Sequence, residues 1–126
     1  MQLRLTSTFR SRLADLLLGQ ATGPVTPASA YIGTGAYDSG TNAQRPPANT
    51  MYAQGQQCSL ALTRTPAQEV QVVVALPAAS ATTTYSEVGV YAADGTLLLH
   101  ATFPPQTLSA GIEASFQFTL NPEDTV

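Results

Sequence analysis

The sequence predicts a mainly β fold, an antiparallel β-sandwich or open barrel with one N-terminal helix, and three observations support this. Apolar and polar residues alternate through much of the chain after residue 50, as they do in strands with one buried face. The pair Asp94-Gly95 lies between two strand-like runs, where a tight hairpin turn is expected. A segment near the N-terminus has apolar residues at helical spacing instead. At 126 residues, we expect one β-rich domain over residues 1–126.

The predicted helix covers about residues 6–19. Four apolar side chains fall at i, i+4, i+7 and i+8 on one helical face: Phe9, Leu13, Leu16 and Leu17. Thr6 or Ser7 can cap the start, and Gly19 suits the left-handed residue that ends many helices. We therefore expect this apolar face to pack onto the sheet.

Between the helix and the main sheet the chain is rich in turn-forming residues. Residues 23–27 contain two prolines, which a helix cannot accommodate, and a short strand is expected at about residues 30–33. Residues 33–49 contain three glycines and two adjacent prolines without a sustained apolar period. This segment is predicted to be a long surface loop, and such loops often form contact surfaces.

The main sheet is predicted over about residues 50–120. Its inward-facing rows are expected to be Cys58, Leu60 and Leu62, then Val70, Val72, Val74 and Leu76, and finally Ile112, Ala114, Phe116, Phe118 and Leu120. The hairpin at Asp94-Gly95 joins two further strands of this sheet. Residues 121–126 form a C-terminal tail that is expected to be frayed or held by a neighbouring chain.

Charge and targeting patterns narrow the classes of partner. Charged residues make up only 10% of the chain, Lys is absent, and the net charge is −3, so no nucleic-acid binding is expected. A surface with so little charge suits a protein that is largely covered by partners, including copies of itself. The chain shows neither a signal-peptide pattern nor an apolar run of about 18 residues, so we expect synthesis in the cytoplasm and no membrane partner.

The residues that could perform chemistry are few. Cys58 is the only cysteine, and its place in an apolar row predicts a buried, inert thiol. His100, the only histidine, is expected to be a satisfied or exposed strand residue rather than a base or a ligand. The eight acids are dispersed without a distinctive pair, so we expect no catalytic residues, no metal site, no cofactor and no enzymatic activity.

Glu87 is the carboxylate with the most unusual sequence setting. The flanking Tyr85, Val88 and Tyr91 predict a strand with little solvent around the acid. Because a buried acid needs a partner, we expect a structural ion pair of Glu87 with Arg45 or Arg64, which would fix a loop to the sheet.

The order of these elements also supports a resemblance to a known group of proteins. The chain runs from the helix through Tyr31-Ile32-Gly33-Thr34-Gly35 and a loop to Glu87-Val88-Gly89-Val90-Tyr91 and Asp94-Gly95-Thr96-Leu97. Over about residues 5–105 it resembles the small domain of collar, fibre and baseplate-associated proteins of tailed bacteriophages. The resemblance implies an oligomeric virion component, often ring-like or three-fold, without catalytic residues.

These expectations give a leading function and two alternatives. We expect a virion tail or baseplate adaptor that joins tail and fibres and binds copies of itself and other tail proteins. An adaptor is expected rather than the tip that touches the host, because the sequence ends soon after its last predicted strand. The alternatives are a head decoration protein of the same kind of virion and a carbohydrate-binding receptor module. Tyr37 and Tyr52 are the candidate interface residues, and in the second alternative they would form the glycan platform.

Overall fold

The computed structural model describes residues 2–38, 40–76, 82–111 and 114–120. Over these residues the fold is mainly β, with one helix and an antiparallel sheet that curls into a half-barrel, so the predicted fold class is confirmed. The helix is α1 (Ser7–Leu17). The strands are β1 (Gln2–Leu5), β2 (Pro27–Gly33), β3 (Tyr37–Asp38), β4 (Ala43–Gln44), β5 (Gln54–Arg64), β6 (Val70–Leu76), β7 (Thr83–Ala92), β8 (Leu97–Leu108) and β9 (Ala114–Leu120).

Seven strands form the main sheet in the order β1-β8-β7-β2-β5-β6-β9, and all neighbouring strands pair antiparallel. β5 connects the two halves of the sheet, because its first part pairs with β2 and its second part pairs with β6. The sheet therefore begins before residue 50, and β2 lies at its centre, which the prediction of a main sheet over residues 50–120 missed. β2 lies at the centre because it pairs with β7 on one side and with β5 on the other.

The curl of the sheet brings strands that are distant in the strand order together around the core. Phe103 of β8 stacks on Phe116 of β9, with ring centroids 5.0 Å apart. The core is formed by strand residues, most of which alternate along their strand, and by one buried residue of the helix: Phe9, Ala30, Ile32, Cys58, Val72, Val74, Leu76, Tyr85, Val88, Val90, Ala92, Leu98, Leu99, Ala101, Phe103 and Phe118. The alternation read from the sequence thus identifies the inner face of the sheet.

The helix begins close to the predicted position. The Thr6 hydroxyl accepts a hydrogen bond from the Phe9 N–H at 3.2 Å and donates one to the Leu97 carbonyl at 2.7 Å, which holds the start of α1 to β8. The predicted apolar face is only partly correct, because Phe9 is buried but Leu17 is 89% exposed. The last turn of α1 leaves the sheet, so Leu16 and Leu17 have no core to cover.

A polar cluster ties α1 to the hairpin between β7 and β8. The Arg12 guanidinium donates to the Asp94 carboxylate at 2.8 Å, to the Thr96 hydroxyl at 2.9 Å and to the Pro24 carbonyl at 2.7 Å. Gly95 has a φ of +84°, so the predicted Asp-Gly turn is confirmed. The hydrogen bond from Arg12 lowers the pKa of Asp94 to about 2, and a hydrogen bond from the Thr96 N–H acts in the same direction.

Two further sequence predictions are modified by the structure. The segment predicted as a loop contains the short hairpin β3–β4. Leu62 and Val70, predicted to point into the core, lie on the inner face but are each 41% exposed, because the half-barrel leaves this end of the β5–β6 pair uncovered. The predicted tail at residues 121–126 and the predicted inward Ile112 lie outside the described residues.

Candidate functional site

The candidate site lies on the outer face of the sheet, opposite the core. Val88 and Val90 of β7 point into the core, so Glu87 and Gly89 point to the other face. That face would meet solvent in a bare sheet, yet Glu87 and His100 are both 0% exposed. Residues 34–38 and 40–53, which we call the covering segment, bury them through hydrogen bonds and packing.

The carboxylate of Glu87 is the centre of this arrangement. Its Oε1 accepts from the Tyr52 N–H at 2.9 Å and from His100 Nε2 at 2.8 Å. Its Oε2 accepts from the N–H groups of Gly35 and Ala53, both at 2.9 Å. Each oxygen thus has two donors, so the carboxylate has no free lone pair to offer a substrate.

His100 occupies the neighbouring position on β8 and has a defined tautomer. Its Nδ1 accepts a hydrogen bond from the Ala48 N–H at 2.8 Å, so this nitrogen carries no proton. The proton therefore lies on Nε2, which donates to Glu87. The ring is a neutral bridge that connects the carboxylate to a second point on the covering segment.

Opposing effects act on the pKa of Glu87. Burial raises the pKa, but hydrogen bonds from His100, Tyr52, Ala53 and Gly35 favour the ionised form and leave the pKa below its usual range. Glu87 is accordingly a carboxylate at neutral pH. The site holds one negative charge that backbone and imidazole N–H dipoles neutralise.

Close packing adds to these hydrogen bonds. A Cβ atom on Gly89 would collide with the Sδ atom of Met51, and one on Gly35 would stand 2.7 Å from the Cβ of Tyr52. Ser86 adds a further attachment, since its hydroxyl accepts from the Ala36 N–H at 3.0 Å. Glycine at position 89 lets the covering segment approach β7 closely, and glycine at position 35 lets two parts of the covering segment approach each other.

The predicted ion pair of Glu87 with Arg45 or Arg64 is wrong, although the prediction that Glu87 is buried and partnered is confirmed. Arg45 instead donates to the Gly35 carbonyl at 3.2 Å, and its guanidinium lies 5.3 Å from the centre of the Tyr52 ring. Arg64 is at the opposite end of β5 from Ala53, roughly 36 Å away along the strand at about 3.3 Å per residue. Three backbone N–H groups and the His100 ring donate the hydrogen bonds to Glu87 that an arginine was expected to supply.

The two predicted interface tyrosines both belong to the covering segment. The Tyr52 ring packs between Arg45 and His100, and its hydroxyl donates to the Pro46 carbonyl at 2.6 Å. The Tyr37 hydroxyl donates to Asn42 at 3.2 Å. Tyr37 also lines a shallow depression of about 410 Å³ with Thr34, Thr84, Ser86 and Pro105. Both side chains support the local structure, and their role in an interface stays a prediction.

Cys58 lies on the other side of the sheet from His100. Its row, through Ala30 and Val90 to Leu99, faces the core, so the prediction of a buried thiol is confirmed. Burial raises the pKa of the Cys58 thiol to about 11, against a smaller lowering effect of the Ile32 backbone. A Cys–His pair is therefore excluded by the geometry. Among the described residues, no group of three or more His, Cys, Asp or Glu side chains could hold a metal ion.

His100 is a strand residue with both ring nitrogens hydrogen-bonded, as one of the two sequence predictions for it stated, but its contact with Glu87 was not predicted. In the β7–β8 pair Glu87 is opposite Thr102 and Gly89 is opposite His100, which makes Glu87 and His100 diagonal neighbours on one face. Counting outward from the Asp94-Gly95 turn could have shown this proximity. The backbone donors of the covering segment have no comparable signal in the sequence.

The described part of the chain contains no helix long and apolar enough to cross a membrane. In comparisons with known proteins, no family model, curated protein or solved structure matches this chain.

Proposed function

We propose that this chain is a non-enzymatic virion protein that works by assembly, as a tail or baseplate adaptor that joins tail and fibres. It would bind copies of itself and other tail proteins, and it would be assembled in the host cytoplasm. The proposal combines an exposed apolar surface, a saturated polar site and the resemblance to phage tail domains.

The observation that carries the assembly function is the uncovered end of the half-barrel. Leu62 and Val70 are diagonal neighbours on the inner face of the β5–β6 pair, and each is 41% exposed. They continue the row that is buried further along the same strands, so the apolar face extends beyond the core. The exposed Arg64 lies opposite Val70 on the same face, so a partner that covers this end would remove apolar surface from water and would leave the guanidinium in solvent or pair it with an acid.

The geometry of the polar site favours a structural role over an enzymatic one. A general base needs an accessible lone pair within reach of a substrate proton. Glu87 and His100 are fully buried, and their acceptor atoms are occupied by protein N–H groups. They anchor the covering segment to the sheet and so give an assembly protein a rigid outer surface.

The proposed location in the tail rests on the resemblance of β7, the turn and β8 to the small domain of phage collar, fibre and baseplate-associated proteins. Glu87-Val88-Gly89-Val90-Tyr91 forms β7 and leads through Asp94-Gly95 into the aliphatic start of β8. A head decoration protein would use the same kind of assembly surface, so position in the particle separates these two functions. The carbohydrate-binding alternative is less favoured, because Arg45 and His100 pack against the Tyr52 ring and leave this residue 37% exposed, which reduces the area that could stack on a sugar.

The test is the position of the chain in purified phage particles. Antibodies raised against the recombinant chain should label the tail or baseplate in electron micrographs, and peptides of the chain should be found in the particles by mass spectrometry. Labelling of the capsid surface would support the head decoration protein instead. Absence of the chain from intact particles would refute a virion function.

A further inference from the structure

We infer that β9 pairs with β9 of a second copy of this chain, in an antiparallel arrangement around a two-fold axis at Gln117. This inference deepens the proposed assembly function and rests on it, since it names a surface and a partner. It comes from three features of β9: its position in the sheet, its composition and the symmetry of its sequence.

β9 is an edge strand whose only neighbour among the described strands is β6. Natural edge strands are usually protected by charge, proline, a bulge or short length, because their free N–H and C=O groups accept further strands. β1, at the other edge, has four residues and includes Arg4. β9 has seven residues, Ala-Ser-Phe-Gln-Phe-Thr-Leu, and none is charged or a proline.

The sequence of β9 is a palindrome in residue type. Pairing two copies antiparallel at Gln117 places Phe116 opposite the partner's Phe118 and Ser115 opposite the partner's Thr119. Aromatic pairs on one face and hydroxyl pairs on the other are among the favourable cross-strand combinations. A two-fold interface requires such self-complementarity.

The faces of β9 agree with this arrangement. Phe118 is buried and Phe116 stacks on Phe103, so the aromatic row belongs to the core face and would continue into the partner's core. Ser115, Gln117 and Thr119 are exposed on the outer face. The paired molecules would share one continuous sheet of fourteen strands, seven from each copy.

Charged substitutions at position 117 test the inference directly. Gln117 is exposed, so Gln117→Lys and Gln117→Glu should both fold, which circular dichroism can check. Each variant places two like charges opposite one another at the axis, and sedimentation velocity should show a dissociation constant at least about fivefold above that of the wild type. An equimolar mixture of the two variants should form mixed dimers and recover the wild-type affinity.

The matched controls are Gln57→Lys and Gln57→Glu, since Gln57 is also exposed but lies on β5 inside the sheet. These controls should associate like the wild type. Association that is unchanged by both Gln117 variants would overturn β9 pairing while leaving the proposed assembly function intact. A wild-type chain that stays monomeric up to high concentration would overturn the pairing as well.

Discussion

At the residue scale, Glu87 is the side chain on which the outer face of the molecule depends. A buried carboxylate is costly to desolvate unless several N–H groups point at it, and here four donors do so. Three of the donors are backbone groups of the covering segment, and the fourth is a ring that holds the same segment at Ala48. The charge therefore fixes the position of a stretch that has little regular structure of its own.

Replacement of this carboxylate by an amide should be strongly destabilising. Glu87→Gln removes the charge and turns an N–H₂ group toward backbone N–H donors, so we expect a loss of about 3 kcal/mol in the free energy of unfolding. Urea denaturation measures this loss. The matched variant Glu69→Gln, on a half-buried carboxylate beside the β5–β6 turn, should cost less than about 1 kcal/mol.

The same carboxylate should make stability depend on acid pH. The folded pKa of Glu87 is lower than its unfolded value of about 4.3, so protons bind more tightly to the unfolded chain. Its contribution is complete above that value and is lost as the pH falls through the folded pKa. Urea midpoints measured from pH 6 to pH 2 should fall more steeply for the wild type than for Glu87→Gln. Parallel curves for the two proteins would contradict this role for Glu87.

Asp94, whose pKa is about 2, contributes in the same direction but only at the acid end of this range. Because Glu87→Gln leaves Asp94 in place, the difference between the two curves isolates the buried carboxylate.

At the scale of elements, the covering segment and α1 are attached to the sheet by different means. The covering segment is held by hydrogen bonds to Glu87 and His100 and by the close approach of Met51 to Gly89. The helix is held at its start by Thr6 and along its side by Arg12. Each attachment can be broken separately.

The contact of Met51 with β7 predicts a specific rescue. Gly89→Ala should displace Met51 and destabilise the fold by about 1–3 kcal/mol, because the space above Gly89 is filled. Adding Met51→Ala should recover a large part of that loss by making room for the new methyl group. Chemical denaturation of the two single variants and the double variant gives the coupling. Additive effects would show that the two residues do not compete for space.

The Arg12 cluster predicts an effect on the helix and the hairpin together. Arg12→Gln removes donors to Asp94, Thr96 and Pro24, so the melting temperature should fall by a few degrees and amide exchange in α1 should become faster. Arg10→Gln is the control, since Arg10 is an exposed residue of the same helix. Equal effects of the two substitutions would mean that the cluster does not hold α1.

The elements differ in how far the sequence predicts them. Period-two alternation identifies the rows of β6, and Asp94-Gly95 identifies the β7–β8 hairpin, because both depend on local residue order. The covering segment depends on long-range donors, and a backbone N–H has no residue type that marks it. The same limit explains the wrong prediction of an arginine beside Glu87, whereas Leu17 is exposed because the last turn of α1 extends beyond the sheet that helical spacing predicts it to cover.

At the scale of the whole molecule, the half-barrel leaves two kinds of surface for neighbours. One is the uncovered apolar end at Leu62 and Val70, and the other is the uncharged edge of β9. The outer face between β7 and β8 is closed by the covering segment and needs no partner to bury its charge. Association through the open end and the edge can therefore proceed without rearrangement of the polar site.

The central claim is that this chain functions by assembling with copies of itself, and its mass in solution tests this most directly. Light scattering on the purified wild-type chain over a hundredfold range of concentration should give a defined oligomer with an even number of chains, as a two-fold β9 contact requires. The oligomer should dissociate as the concentration falls. A mass equal to one chain at every concentration would contradict the claim.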